Sequence, residues 1–478
     1  MTIIAKNLRR TTLISVGLSL FLIGIFISKY SVELVYIISV CFLAGAVLAI
    51  LLKRKRKLIV ILSLLVMFAI GFWRGSIYQQ KLGKYDDYFG NSVSITATAN
   101  EDAVYSDRKQ LIFSATNVEV ESNNLVGNIQ IEGYGTPMVY KGDKVAVIGR
   151  MFPKRGDNIA GVSFALIEVK QTGGSIIDTL RRDFAAGMQN VLPEPLASFG
   201  MGLLIGQRST LPEQLVQDLT IVGLIHIVAV SGYNLTVLVN ISRRTSQNRS
   251  RYQAVALSAL LIGLFLLFTG GSPSIVRAAV VSIIGLLGWY YGRDIKPMII
   301  LLLSAVLTVG FNPLYLWRSI GWYLSFTAFF GVLVLAPLLR NVLLKPSLRD
   351  KLLPQILTET FAAQLCTLPV ILFIFGRLSV ISILANVLVI PVVPFAMLAS
   401  LVAGIYGMIG PFLFGGVMVL PARLLLEYIL SISSFLAKAP YANVDFKLNS
   451  TQMLVSYGFV IGTSVILWLK SRKNAIVS

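Results

Sequence analysis

Apolar runs of about 20 residues, repeated along the chain, most limit how this sequence can fold. A run of this length can form a helix across about 30 Å of hydrocarbon. Hydrophobic residues make up 55% of the 478 residues and charged residues only 13%, which is unlike a water-soluble domain. The runs are residues 12–28, 32–52, 58–75, 222–240, 252–269, 274–291, 298–311, 320–339, 358–375, 380–404, 412–436 and 453–469. We predict a polytopic α-helical membrane protein with about 11–12 membrane helices.

Clusters of lysine and arginine indicate which ends of these helices face the cytoplasm. Lys6, Arg9 and Arg10 precede the first run, and residues 53–57, all of them basic, separate the second run from the third. Basic residues also recur in alternate loops of the second half and after residue 469. Because cytoplasmic loops carry an excess of Lys and Arg, we predict a multi-pass protein of the cytoplasmic membrane with both termini inside.

Residues 76–175 differ from the rest, because they contain no long apolar run. Five short segments within 92–166 alternate apolar and polar residues between Gly, Asn and Asp turns, which is typical of antiparallel strands. Five strands in so short a stretch fit a small closed β-barrel, of which the OB-fold is the common form. The segment carries 10 Lys and Arg against 11 Asp and Glu, so it is not an obvious phosphate-binding surface. We predict an extracytoplasmic OB-like domain.

The sequence therefore divides into four parts. Residues 1–75 hold three transmembrane helices, and 76–175 form the external β domain. Residues 176–195 are predicted to be an amphipathic interfacial helix, ended by Pro193 and Pro195. Residues 196–478 form the main membrane domain.

A polar stripe runs through the apolar segment 222–240. His226, Tyr233 and Asn240 are spaced by seven residues and share one face of a continuous helix, and Ser231 and Asn234 lie between them. Such a stripe faces protein or water rather than lipid. Two interpretations stay open: hydrogen bonds that hold helices together, or the lining of a transport path.

Other polar residues interrupt later apolar runs. Arg277, Gln364 and Asn386 lie inside runs, and Asn312 precedes a proline. Snorkelling to the interface is the simpler explanation of such an arginine, and a basic lining that attracts a polyanion is the alternative. Broken helices with polar residues are typical of transport paths.

The sequence shows no catalytic, cofactor or metal site. It has one histidine, and its two cysteines, Cys41 and Cys366, lie far apart in apolar runs. No phosphate-binding P-loop pattern occurs, so any ATP-driven motor must be another protein.

Four motifs, in this order, resemble the ComEC-type competence proteins, which are membrane channels of bacterial DNA uptake. The family's hallmark helix is matched by residues 226–234, HIVAVSGYN. The other three motifs are Ser272-Pro273-Ser274 with Arg277-Ala278, Asn312-Pro313 with Ser319 and Leu324-Ser325-Phe326, and Glu359, Gln364, Thr367, Pro369, Phe375-Gly376, Ser379, Asn386, Pro391 and Pro394. The resemblance covers most of the chain.

The resemblance implies a channel that carries single-stranded DNA inward across the cytoplasmic membrane during natural transformation. The partners it implies are single-stranded DNA, membrane lipid, a DNA receptor outside, a separate nuclease and a cytoplasmic ATP-driven motor; the oligomeric state stays open. The residues expected to line the DNA path are His226, Ser231, Tyr233, Asn234, Asn240, Arg277, Asn312, Ser325, Gln364 and Asn386.

Two departures from the family pattern bear on chemistry. The second histidine of the hallmark helix is replaced by Asn234, which cannot titrate near neutrality. Many members carry a C-terminal metallo-β-lactamase-like domain, and a single histidine cannot build that metal site. We expect a protein that is not an enzyme.

Two other functions stay open. One is a transporter of a small polar or anionic solute, although no internal repeat is evident. The other is a membrane hydrolase that uses Ser231 and His226, which would point about 140° apart on a continuous helix.

The predicted orientation can be tested by cysteine labelling of intact cells. An external reagent should label a Ser122→Cys variant in the β domain but not a Ser246→Cys variant in the basic loop after residue 240, because the charge pattern places them on opposite sides. The reverse labelling pattern would show that the orientation is wrong.

Overall fold

A computed structural model of the chain describes most residues, and these fall into two compact units. The first unit is Met1–Thr179 with Leu302–Trp322, and the second is Leu180–Leu301 with Tyr323–Ser478. The described residues are 10–30, 44, 56–106, 109–121, 123–136, 138–154, 156–173, 175–206, 211–228, 235, 239, 250–269, 273–293, 295–349, 351–410 and 415–477. Each unit is described by itself below.

The first unit begins with two long apolar helices, α1 (Arg10–Ser28) and α2 (Arg56–Gly83). The predicted helix at 32–52 lies outside the described residues. The helix α2 continues well beyond the predicted run, because residues 76–82 contain neither proline nor glycine.

Two side chains tie these helices to segment 302–322 of the same unit. The Trp317 indole Nε1 donates to the Ile25 carbonyl at 2.8 Å. The Arg74 guanidinium donates to the carbonyls of Gly310 and Phe311, at 2.9 and 3.0 Å, and so satisfies the end of a helix.

A seven-stranded sheet forms the predicted β domain. Its strands are β1 (Ser92–Ala99), β2 (Val104–Tyr105), β3 (Leu111–Val120), β4 (Asn123–Leu125), β5 (Ile129–Tyr134), β6 (Lys144–Pro153) and β7 (Ala160–Gln171). The five predicted segments correspond to β1, β3, β5, β6 and β7. The two short strands, β2 and β4, pair only with β3.

The five long strands close into a barrel. The pairing order is β1-β6-β7-β5-β3, and β3 also pairs with β1, which completes the ring. Only the β5–β7 pair is parallel among these pairings. This closed Greek-key ring of five strands has the OB-fold topology. Alternate side chains such as Ile95, Phe113 and Ile131 fill its interior, as period-two patterning requires.

One end of the barrel rests on residues of the same unit. The Tyr85 hydroxyl donates to the Val126 carbonyl at 3.1 Å, and burial raises the pKa of this phenol. The Arg318 guanidinium donates to the Lys154 carbonyl at 3.2 Å. Arg318 is the last residue of the short helix Leu314–Arg318.

The second unit is helical. The helices that follow the β domain along the chain are α3 (Ile176–Val191), α4 (Leu196–Ile205), α5 (Glu213–Ile221), α6 (Ile225–Val228), α7 (Arg251–Thr269), α8 (Pro273–Tyr290), α9 (Pro297–Phe311), α10 (Leu314–Arg318), α11 (Ile320–Phe330), α12 (Ala336–Leu343), α13 (Pro346–Arg349), α14 (Leu352–Ile374), α15 (Ser382–Val389), α16 (Val393–Ile409), α17 (Gly415–Ala437) and α18 (Ser450–Val477). Of these, α10 and most of α9 belong to the first unit. A π-helix, Gly331–Leu335, joins α11 to α12, and strands β8 (Arg377–Ser379) and β9 (Asn443–Asp445) pair antiparallel.

The helices identify a multi-pass membrane protein. Within the described part of the chain, seven helices are long and apolar enough to cross a membrane. The pair α15 and α16, bent by 52° at the residues between them, makes an eighth if it is one broken span, and three shorter helices are also apolar. The number of spans over the whole chain stays a prediction.

The amphipathic segment forms α3 as expected, and its apolar face packs on protein. Phe184 and Met188 are buried in the main hydrophobic core of the second unit. Gly187 and Gly407 bring the backbones of α3 and α16 together, so closely that a Cβ atom on Gly407 would overlap the Gly187 carbonyl. The start of α3 stays exposed, with Ile176 at 84%.

We expect a Gly407→Ala substitution to destabilise the second unit. The added methyl must push α3 away from α16, and overpacking of this kind costs about 1–3 kcal/mol. A Gly263→Ala control in α7 adds the same methyl where the described structure has nothing within 4 Å. Thermal unfolding of the purified proteins should show a lower midpoint for Gly407→Ala alone; equal midpoints would contradict the contact.

Candidate functional site

The polar stripe of the hallmark segment is only partly visible. Ser231, Tyr233, Asn234 and Asn240 lie outside the described residues, so their role in a path stays a prediction. His226 is described and lies in the short helix α6.

A glycine turn precedes His226, so the helix begins at Ile225 rather than at Val222. Helix α5 ends at Ile221, and Gly223 takes a left-handed conformation with φ of +73°, which favours glycine. His226 Nδ1 lies 2.9 Å from the Gly223 carbonyl oxygen. Because that oxygen can only accept, Nδ1 carries the proton, and Nε2 of the neutral ring is left as an acceptor.

The same turn packs against the segment that precedes α15. A Cβ atom placed on Gly223 would stand 2.7 Å from Ser382 Cβ and 3.4 Å from Ser379 Oγ. The Gly223 turn, just before the hallmark segment, therefore packs directly against Ser379 and Ser382. Only glycine fits there, because any Cβ atom would collide with Ser382.

These serines belong to a group that we call the polar cluster: Gln364 of α14, Ser379 of β8, and Ser382 and Asn386 of α15. The Gln364 Nε2 atom lies 3.5 Å from the Ser379 carbonyl oxygen, at the limit of a hydrogen bond. Ser382 and Asn386 are four residues apart and share one face of α15. Their side chains are buried, with 5% and 8% exposure.

Four side-chain oxygens of the polar cluster are buried without a hydrogen-bond partner in the described structure. They are Gln364 Oε1, Ser379 Oγ, Ser382 Oγ and Asn386 Oδ1. A buried polar group left unpaired costs about 1–3 kcal/mol, and native structures contain only a few. Four such atoms in one region indicate a place that water or a polar ligand occupies.

A second site combines two of the predicted residues, Arg277 and Ser325. The Arg277 Nε atom of α8 donates to Ser325 Oγ of α11 at 2.7 Å. The guanidinium carbon also lies 4.6 Å from the centre of the Phe329 ring and 5.8 Å from that of Phe326. Arg277 is only 8% exposed. We call these four residues the arginine site.

The groups that contact the Arg277 guanidinium are neutral: a serine hydroxyl and two phenylalanine rings. Among the described residues, no carboxylate lies within 4.0 Å of its guanidinium. A hydroxyl acceptor and two aromatic faces compensate a buried cation only in part. The arginine site is therefore positive, and a mobile anion is the partner that it favours.

Asn312 has a local role in the first unit. Its Oδ1 accepts from the Leu314 backbone N–H at 3.1 Å, which caps the start of α10. This contact explains the residue without a transport role, and its place in a path stays a prediction.

Sequence reasoning did not propose Gly223, Ser379, Ser382, Phe326 or Phe329 as site residues, although Ser379 and Phe326 belong to the family-like motifs. Ser382 and Asn386 are four residues apart, which is a helical-face signal in retrospect, whereas Ser379 lies in strand β8. The two phenylalanines follow Ser325 by one and four residues, inside an apolar run where aromatic residues carry no signal.

The described residues contain no group of three or more His, Cys, Asp or Glu side chains that could hold a metal ion. The polar cluster and the arginine site offer hydroxyl, amide and guanidinium groups that can bind a polar ligand.

The membrane domain matches known proteins. Residues 203–472, more than half of the chain, match the family described as Competence protein. The chain is 28% identical over 231 residues to the ComE operon protein 3 of Bacillus subtilis (strain 168), which covers 48% of this chain and 28% of that protein. The match thus spans less than a third of that relative. No solved structure matches the chain.

We expect a Ser325→Ala substitution to destabilise the purified protein by about 1.5–3 kcal/mol, because it removes the hydroxyl that accepts from a buried guanidinium. A Thr327→Ala control removes a hydroxyl that only bonds carbonyls of its own helix, those of Tyr323 and Leu324. Thermal unfolding should separate the two. In an Arg277→Gln background the cost of Ser325→Ala should shrink; an undiminished cost would exclude coupling between these side chains.

Proposed function

Because the chain belongs to the Competence protein family, we propose that it forms the membrane channel through which single-stranded DNA crosses the cytoplasmic membrane in natural transformation. The observation that carries the proposal is the family match over 203–472. That range contains both the polar cluster and the arginine site, and the chain also resembles a relative named ComE operon protein 3.

The chemistry of the two sites supports the proposal. A phosphate backbone needs donors and positive charge along a path that protein shields from lipid. Arg277 supplies a positive charge with no carboxylate partner among the described residues. The polar cluster supplies hydroxyl and amide groups without fixed charge, which can solvate a phosphate and release it. A dense cluster of positive charges would instead hold the DNA in place, because conduction requires that each phosphate bind weakly enough to be released.

The partners are part of the proposal. The β-barrel is near neutral, so we favour a barrel that docks a DNA receptor over one that grips the phosphate backbone itself. A separate nuclease would degrade the strand that does not enter, and a cytoplasmic ATP-driven motor would pull the entering strand through the channel. The barrel would lie outside and both termini inside the cytoplasmic membrane.

One observation favours a second candidate, a transporter of a small anionic solute. Helices α15 and α16 meet at a bend of 52°, beside the polar cluster. Broken helices with polar groups at the break are typical of secondary transporters. The uptake experiment below therefore includes small solutes.

The function can be tested by deleting the gene and restoring it on a plasmid. DNA that is protected inside the cell should fall to background in the deletion strain, while DNA bound to the cell surface should stay at the parental level. Uptake of labelled phosphate, organic acids and amino acids should not change. Normal DNA entry without the gene would refute the channel, and loss of a solute alone would support the transporter.

An Asn386→Asp substitution should lower DNA entry per folded molecule about 10-fold or more, because a fixed negative charge near the path repels phosphate. The change is isosteric and leaves the packing of α15 intact. A Gln452→Glu control adds the same charge at an exposed helix start, where the side chain oxygen still accepts from the Asn449 N–H. DNA entry is normalised to protein abundance in the membrane.

The two variants distinguish an effect of negative charge at the polar cluster from an effect of negative charge anywhere on the protein. If Asn386→Asp transports DNA as the parent does at equal abundance, the polar cluster is not part of the path. If Gln452→Glu lowers entry equally, the charge acts at a distance and the placement of the path fails.

A further inference from the structure

An apolar groove of about 240 Å³ lies on the second unit between α12, α14 and α18. It is far larger than the packing voids of a protein interior. It adjoins a small hydrophobic cluster around Leu339, Ala362 and Cys366. Its lining residues are Leu335, Leu339, Leu365, Thr463, Ile466 and Leu467.

The lining of the groove offers no unsatisfied polar side chain that would bind water. The only polar side chain of the lining is Thr463, and its hydroxyl is already satisfied by the carbonyls of Phe459 and Val460, at 2.9 and 3.0 Å. A cavity holds water only when it offers two or more polar partners. Both α14 and α18 are long and apolar enough to span a membrane, so an acyl chain is the occupant that matches the groove.

One end of the groove is basic. Helices α12 and α18 end there and α14 begins there, and Lys470 follows Leu467 by three residues on the same side of α18. Arg340 directly follows Leu339. The basic residues of this end are Arg340, Lys345, Arg349, Lys351 and Lys470.

The ion pair of Arg340 is a long one. Its guanidinium lies 3.9 Å from Glu359 Oε1, which is too far for a hydrogen bond, so this carboxylate compensates the charge only weakly. That oxygen already accepts from Gln355 Nε2 at 2.9 Å. Lys470 is exposed, and neither basic residue is ion-paired at hydrogen-bond distance among the described residues.

We propose that the groove and its basic end bind one anionic phospholipid, with an acyl chain against Leu335, Leu365 and Ile466 and the phosphodiester on Arg340 and Lys470. Guanidinium groups recognise phosphate with charge-assisted hydrogen bonds, and basic pockets at helix ends are typical sites for anionic headgroups. A zwitterionic lipid has the same chains, but its own ammonium offsets the attraction of the basic residues. The site therefore selects by headgroup.

The test is native mass spectrometry of the delipidated full chain, with phosphatidylglycerol and phosphatidylcholine of identical acyl chains at equal concentration. The parent should bind one phosphatidylglycerol in preference to phosphatidylcholine. The pair Arg340→Gln and Lys470→Gln should lower that preference about 10-fold or more, since both positive charges that attract the anionic headgroup are removed. The matched pair Arg293→Gln and Lys296→Gln removes the same charge from another loop and should leave the preference unchanged.

A second pair of variants tests the groove itself. Leu365→Trp fills it and should lower occupancy by both lipids, whereas Val465→Trp adds the same ring on the opposite, exposed side of α18 and should not. Equal binding of the two lipids by the parent, an equal loss in both charge pairs, or full binding by Leu365→Trp would each overturn the proposal. Lys470→Gln alone, at an exposed position, keeps the test valid if a double variant fails to fold.

Discussion

Hydrocarbon offers no hydrogen bonds, and most of this structure follows from that constraint. A chain that crosses lipid must satisfy its own backbone, so it does so with helices, and irregular backbone is tolerated only against protein or water. Three departures from regular helix among the described residues of the second unit are the Gly223 turn, the bend between α15 and α16, and the π-helix Gly331–Leu335. The first two adjoin the polar cluster. The polar cluster therefore lies where the backbone is interrupted, at elements that cannot face lipid.

Much of the fold could be predicted from local pattern. The apolar run 252–269 became α7 (Arg251–Thr269), and the alternating segment 92–96 became β1, because period and length are written in the sequence itself. The parallel pairing of β5 with β7 has no such signal, since it joins strands that are separated by a third, antiparallel strand along the chain. The continuation of α2 beyond Gly75 was missed because residues 76–82 are too polar to extend an apolar run, yet they form a good helix.

The site was harder to predict than the fold. Arg277 and Ser325 were each singled out, but their hydrogen bond joins positions 48 residues apart and depends on how α8 packs on α11. Ser379 was noted only as part of a family-like motif, and Ser382 was not noted, because single hydroxyls are common in membrane proteins and usually bond nearby backbone. What distinguishes them is that their hydroxyls find no partner among the described residues, a property that only three-dimensional packing reveals. Asn312 shows the opposite case. The sequence suggested a transport role for it, whereas its hydrogen bond at the start of α10 is a local structural contact.

The π-helix between α11 and α12 has a consequence for how this part of the chain can change. Its Ala336 N–H bonds the Gly331 carbonyl, five residues back, so this turn holds one residue more than an α-helical turn. Gly331 itself lies against the backbone of Ala362, where a Cβ atom would stand 2.5 Å from the carbonyl oxygen. One residue corresponds to about 100° of rotation. The extra residue thus determines the angle about the helix axis between the side chain of Ser325, before the π-helix, and that of Leu339, after it. A single-residue deletion there would turn every side chain beyond it onto a different face while leaving the composition of the helix almost untouched.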